Sequence, residues 1–211
     1  MYKISSRVLG PVATNCYTVV NEETKESILI DAADRHSSKL LSATNDAGAK
    51  PVALLLTHAH FDHTDGIPAI RTECPDVEVI IGENDAPLLE DPILNLSLSF
   101  MGEPFGTKAD RTVADGEEIE LIGLKIKCIE VTGHTVGGMC YYIPELNVVF
   151  DGDTLFCGSV GRSDFPTGDG DLLIESIREK LFVLPDDTKV LPGHDASTTI
   201  HTEKVGNFYF D

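Results

Sequence analysis

Residues 57–63, Thr57-His58-Ala59-His60-Phe61-Asp62-His63, constrain this chain more than any other stretch. They close the run VALLLT at 52–57. A continuous apolar run of this length reads as a strand covered on both faces. Three of the seven histidines fall within six residues of the loop that follows, with Asp62 between them. Neutral imidazole and carboxylate are natural ligands for zinc, iron or manganese. A tight loop at a strand end aims His58 and His60 to one side and Asp62 and His63 to the other, which serves two metals rather than one. A single histidine is usually a surface or satisfied core residue. That reading has to explain three histidines and a carboxylate at one strand end, and it does so poorly.

Three further candidates sit at predicted strand ends. His134 follows strand 124–131, Asp153 follows strand 147–151, and His194 follows strand 188–191. Each is preceded by a glycine, which lets backbone and ligand approach closely. Each alone is weak evidence. Together they complete two coordination sets.

The remaining pattern alternates strands with helices. Residues 2–9, 15–21, 26–31, 77–81, 118–122 and 139–143 read as further strands, with turn residues between them. Helices are predicted over 36–47, 65–73, 83–90, 171–181 and 198–205. Residues 91–113 have no clear period and read as a loop over a site. Loops gather at strand ends, so a layered α/β sandwich fits. At 211 residues the expectation is one domain over 1–211 with a real core.

Composition narrows the partners. Sixteen basic against 35 acidic side chains give a formal charge of −19, which repels phosphate backbones, so no nucleic acid is expected. No stretch reaches the roughly eighteen apolar residues of a membrane span. The N-terminus lacks the apolar core and cleavage site of a signal peptide, so a cytoplasmic setting is expected. Five cysteines without a CxxC pair argue against a disulfide framework or a Cys-rich zinc site, and read as small buried hydrophobes.

The segment THAHFDH resembles the HxHxDH motif of the metallo-β-lactamase superfamily, and His134, Asp153 and His194 resemble its later ligands in order and spacing. The resemblance spans nearly the whole chain. It implies a four-layer αβ/βα sandwich with the site at one edge between two sheets. It also implies roles: His58, His60 and His134 on one metal, Asp62, His63 and His194 on the other, and Asp153 bridging both beside a hydroxide. Asp62 would orient that hydroxide as the catalytic carboxylate. The cofactor is expected to be two divalent ions, zinc first, with iron or manganese as alternatives. Asp31, ending the strand ILID, resembles an acidic residue that holds a ligand from behind, and reads equally well as a strand-end turn residue.

Within the superfamily, Gly158–Pro166 resembles the GRxDFP block of short bacterial glyoxalase II-like proteins. LPGHDASTTIHTE at 191–203 resembles their PGH…TTI…E ending. The resemblance implies hydrolysis of S-2-hydroxyacylglutathione or a related small-molecule thioester. A thiolate with a pKa of roughly 8.5 leaves with little help, whereas an amide needs a proton donor. Arg162 is the substrate-binding candidate, since a guanidinium fork matches a carboxylate; the competing reading is an internal ion pair with Asp164. Departures from the family pattern are Asp195 after the last ligand, the segment His134–Gly138 without Pro or Ser, and the ending Gly206-Asn207-Phe208. Two alternatives remain open. One is a mono-iron persulfide dioxygenase on equivalents of His58, His134 and Asp153, whose members Asp195 resembles. The other is a non-catalytic binding protein.

Overall fold

The computed structural model describes residues 1–36 and 38–210. Among the described residues there are two six-stranded sheets and one two-stranded hairpin. The first sheet runs β1 (Tyr2–Leu9), β2 (Thr14–Asn21), β3 (Glu26–Ile30), β4 (Lys50–Leu55), β5 (Glu78–Gly82), β6 (Arg111–Val113). Its β1–β2 and β2–β3 pairs are antiparallel; β3 to β6 are parallel. The second sheet is built from β7 (Glu118–Leu121), β8 (Leu124–Glu130), β9 (Met139–Ile143), β10 (Val148–Gly152), β13 (Lys189–Pro192) and β14 (Thr198–Thr199). There β10 and β13 are parallel and the other pairs antiparallel. The hairpin joins β11 (Leu155–Phe156) to β12 (Ser159–Val160).

The apolar runs explain the layering. Side chains alternate across a strand with period two. Ile28, Ile30, Leu55 and Ile80 therefore pack into the core between the sheets, against Ile126, Tyr141 and Phe150 of the second sheet. Their neighbours Leu29, Leu54, Leu56, Val79 and Ile81 face outward and are covered. The cover is α1 (Ser38–Asp46), α3 (Ile67–Glu73) and α4 (Ala86–Glu90), through Leu40, Leu41, Ile67, Ile70, Leu88 and Leu89. On the far side, Leu173 of α6 (Gly170–Ser176), Ile177 and Leu181 of the π-turn after it, and Ile200 of α7 (Ile200–Gly206) cover Ile129, Val149 and Val190. The result is helices, sheet, sheet, helices, which is the four-layer αβ/βα sandwich expected.

Several boundaries differ from expectation. The helix expected over 65–73 is α3, which starts two residues later at Ile67, and a further short helix, α2 (Phe61–Thr64), precedes it inside the histidine-rich loop; Gly66 between them packs so tightly on the Ala32 and Asp34 carbonyls that a Cβ there would sit 2.7 Å from each. Residues 91–113 are not structureless. They hold α5 (Ser97–Met101) and β6, whose lengths are too short for periodicity to register. Thr198 and Thr199 pair with β13 as an edge strand, and the Thr199 side chain caps α7. The π-turn at Ile177–Leu181 continues α6. The start of helix 36–47 touches Ser37, which lies outside the described residues, as does Asp211. No helix among the described residues is long and apolar enough to cross a membrane. Tyr141 and Tyr142 are strand packing, as expected, and His36 and His201 lie at the surface. Cys16, Cys128 and Cys140 are buried, but Cys157 is exposed. Cys157 sits in the β11–β12 turn, which carries it outward.

Candidate metal centre

Both sheets end on one edge, where their strand-end loops are sewn together. The Met139 amide donates to the Thr57 carbonyl at 2.7 Å, and the Tyr141 hydroxyl to the Leu56 carbonyl at 2.8 Å. From the first sheet, the Tyr17 hydroxyl donates to the Pro192 carbonyl at 2.7 Å, and the Asn15 amide to the Gly193 carbonyl at 2.7 Å. The loops after β4, β8, β10 and β13 therefore meet at one point.

They bring all seven predicted residues together. His58 Nε2 and His60 Nδ1 lie 3.3 and 3.0 Å from His134 Nε2. Asp62 Oδ2 lies 3.5 Å from His63 Nε2 and 3.3 Å from His194 Nε2. Asp153 reaches both sets: Oδ1 is 3.3 Å from His63 Nε2, while Oδ2 is 3.6 Å from His134 Nε2 and 3.5 Å from His194 Nε2. The glycines before these residues are required. A Cβ on Gly193 would collide with the Asp153 carboxylate and the His63 ring, one on Gly152 with the Thr57 side chain, and one on Gly133 with Leu173.

The donor set fits divalent cations. His60 Nε2 is a buried polar atom with no hydrogen-bond partner, and His63 Nε2 and Asp153 Oδ1, also buried, face each other at 3.3 Å without a well-formed hydrogen bond. Such atoms are rare in a folded protein unless an ion or water satisfies them. Burial, with the surrounding imidazoles, drives His58 well below histidine's usual range and pushes His60 down to about 3. Both rings are neutral, with lone pairs to offer. Burial opposes charge on His63, yet the Asp62, Asp31 and Asp153 carboxylates raise it well above that range. The same ring holds Asp62 and Asp153 low in spite of their burial. This half of the site demands positive charge, and a divalent cation supplies more of it than a proton.

Supporting groups fix which nitrogen faces inward. Asp31 accepts from the Thr57 amide and hydroxyl, both at 2.8 Å, and from His63 Nδ1 at 2.8 Å. The Thr57 hydroxyl, having donated to Asp31, accepts from His58 Nδ1 at 3.1 Å. His58 therefore presents a bare Nε2 to the centre, and His63 does so once a cation takes the place of its Nε2 proton. His134 Nδ1 donates to the Arg162 carbonyl at 2.6 Å, with the same effect. The Thr14 hydroxyl donates to Asp62 Oδ2 at 3.1 Å. Asp31 has a φ of 58° at the end of its strand, and its carboxylate binds Thr57 and the His63 ring.

Asp85 was missed by sequence reasoning. It is fully buried and accepts from the Ala59 amide at 2.9 Å, the Thr135 hydroxyl at 2.9 Å and the Gly137 amide at 2.7 Å. It thereby ties the His58–His60 loop to the His134 loop. An acid at a helix start reads as an ordinary cap, so no pattern could reveal it. Glu203, inside the 191–203 block, is a second buried tie. It accepts from the Thr198 hydroxyl at 2.5 Å and from the Gly158 amide and Asn207 side chain at 2.9 Å each.

The centre opens into a cavity of about 420 Å³. Its wall includes Leu96 and Phe100 from the 91–113 stretch, which does form a loop over the site. Arg162 lines the cavity, but its Nε and Nη2 each donate to Asp164 at 2.7 Å, so the ion pair anticipated as the competing reading is present.

Comparison with known proteins agrees with this geometry. The family model of the metallo-beta-lactamase superfamily matches residues 9–194. The chain is similar to the probable metallo-hydrolase YqgX of Bacillus subtilis, 32% identical over 94% of this chain and 93% of the relative. It is also similar to the hydroxyacylglutathione hydrolase GloC of Haemophilus influenzae, 34% identical over 92% and 91%. Among solved structures, the BLEG-1 B3 metallo-beta-lactamase matches with a TM-score of 0.92 at 33% identity, covering 99% of both chains. TTHA1623, in a di-iron-bound form, matches with a TM-score of 0.80 at 35% identity over 96% and 98%. ETHE1 from Myxococcus xanthus matches at 0.81 and 26% identity over 97% and 83%. With its strand-end histidines and carboxylates converging at one sheet edge, the chain belongs to the metallo-β-lactamase superfamily, a family of metal-dependent hydrolases and their relatives.

Proposed function

We propose that this chain is a two-metal hydrolase of thioesters, with S-2-hydroxyacylglutathione as the reference substrate. The observation that carries the reading is the Asp153 carboxylate, whose oxygens lie 3.3–3.6 Å from His63, His134 and His194. A carboxylate in reach of both sets suits a shared pair of ions. His58, His60 and His134 would hold one ion, Asp62, His63 and His194 the other, and Asp153 both. When bound, such ions supply an acidified water as nucleophile and polarise the carbonyl under attack. Zinc suits the imidazole-rich donors; iron and manganese suit them too, and TTHA1623 was solved with two irons.

The chain's own groups prepare the reaction. Asp62, steadied by Thr14, orients the attacking water with its free carboxylate edge. Asp31 and the Arg162 carbonyl hold the rings of His63 and His134, so the centre is organised before substrate arrives. The leaving group decides between thioester and lactam. A thiolate departs unprotonated, whereas an amine needs a positioned acid. The similarity to GloC supports the thioester, and the name of BLEG-1 makes the lactam the comparison to run beside it. A cytoplasmic setting belongs to the proposal, since the free cysteines suit a reducing compartment. A second reading, the mono-iron persulfide dioxygenase, is favoured by the likeness to ETHE1.

The test is hydrolysis of S-D-lactoylglutathione by the metal-loaded protein. Steady cleavage, abolished by Asp153→Ala, is expected. Absence of cleavage, with oxygen uptake on glutathione persulfide, would install the dioxygenase instead.

A further inference from the structure

The wall of the cavity is apolar on most sides. Val12, Leu96, Phe100, Phe156, Val160 and Phe165 face it. Phe100 stands at the mouth, about half exposed, stacked 5.6 Å from Phe61 and edge-on 5.7 Å from Phe165. Among the described residues Arg162 is the one arginine or lysine in the lining. Two of its five N–H donors are already engaged, in an ion pair at the exposed rim of the cavity. Both prongs of the fork are bonded to the Asp164 carboxylate at 2.7 Å, and Cζ lies 3.9 Å over the Phe165 ring. Hydrogen bonding from Arg162 holds Asp164 down to about 2, so the pair stays ionised at any working pH. The Asp62 and Asp153 carboxylates at the cavity floor belong to the two ligand sets, and the chain as a whole carries a net charge of −19.

An anionic arm entering this space finds no unpaired cation on the wall, and loses hydration against apolar surface. We infer that the cavity selects thioesters whose arms are uncharged and apolar, and that Asp164 enforces the choice by occupying Arg162. The inference rests on the thioester reading and narrows it: glutathione, with its free carboxylates, is the poorer thiol arm, and an alkyl or aromatic acyl group on a neutral thiol is the better substrate. Phe100 supplies the contact for the apolar arm. Asp164 is a specificity residue and not part of the chemistry.

Binding separates this from catalysis. S-hexyl-N-acetylcysteamine and S-hexylglutathione are stable thioethers that share the hexyl arm and differ in the thiol arm, which in glutathione is larger and carries two carboxylates and an ammonium. Titrated calorimetrically into the metal-loaded protein, the neutral ligand is expected to bind about tenfold tighter or more, the cost of desolvating an unpaired carboxylate. In Asp164→Asn the ratio moves about fivefold towards the glutathione ligand, what an exposed charge pair is worth. Arg162→Gln added to that variant returns the ratio to its starting value. Phe100→Ala weakens the neutral ligand more than the anionic one. Tighter binding of S-hexylglutathione to the unaltered protein would overturn the inference, as would a ratio unmoved by Asp164→Asn in a variant with unchanged circular dichroism. Hydrolysis of the matching hexanoyl thioesters, followed with the metal-loaded protein, answers separately: cleavage of neither ester defeats the thioester reading and leaves the binding result to stand by itself.

Discussion

The Asp31 side chain does two jobs with one carboxylate. It closes the turn after β3 and holds the imidazole of His63, and through Thr57 that of His58. The jobs can be separated. Asparagine tolerates the left-handed backbone that Asp31 adopts and keeps an acceptor for Thr57. It removes the charge that fixes the His63 tautomer. Asp31→Asn should therefore fold normally and lose roughly 10–100-fold in metal affinity, measured by competition with a chromophoric chelator. Unchanged affinity would reduce Asp31 to a turn residue. The His-Asp cluster at 57–63 was legible because ligand spacing is written locally. The pairing of His134 with the Arg162 carbonyl was not, because no side chain of Arg162 takes part.

At the scale of elements, α4 is held to the site by Asp85. Removing its carboxylate leaves the amides of Ala59 and Gly137 and the hydroxyl of Thr135 buried without an acceptor. At about 1 kcal/mol for each group, Asp85→Ala should destabilise the fold by about 3 kcal/mol. For a domain of this size the unfolding midpoint falls by roughly 6–12 °C. Differential scanning calorimetry reads that shift directly; a change under 2 °C would mean that water replaces the carboxylate at no cost. Period-two and continuous apolar runs made nearly all the long strands readable, while the four-layer order came from the family resemblance. Single-turn and two-residue elements, α2, α5, β11, β12 and β14, escaped because they complete barely one period and owe their form to tertiary contacts.

For the whole molecule, burial sorts the thiols. Desolvation pushes Cys128 up to about 12 and raises Cys16 and Cys140 strongly. The thiolate is the nucleophile, so these thiols stay inert in the native state. Exposed Cys157 should take up iodoacetamide first, with Cys16, Cys128 and Cys140 labelled only as the protein unfolds; peptide mass spectrometry distinguishes them. Rapid native labelling of Cys140 would contradict the tight inner packing. Bound ions should also stabilise the whole chain, by about 4 kcal/mol at a thousandfold excess over the dissociation constant, because the unfolded chain has no assembled site. Chelation should lower the unfolding midpoint and readdition restore it.

The central claim is that Asp153 joins two ligand sets into one centre for two ions. Native mass spectrometry of the purified chain measures it most directly, by counting ions per molecule. About two ions are expected for the unaltered protein, one for His194→Ala, and loss from both sets for Asp153→Ala. One ion in the unaltered protein under saturating zinc, iron or manganese, unchanged by His194→Ala, would contradict it.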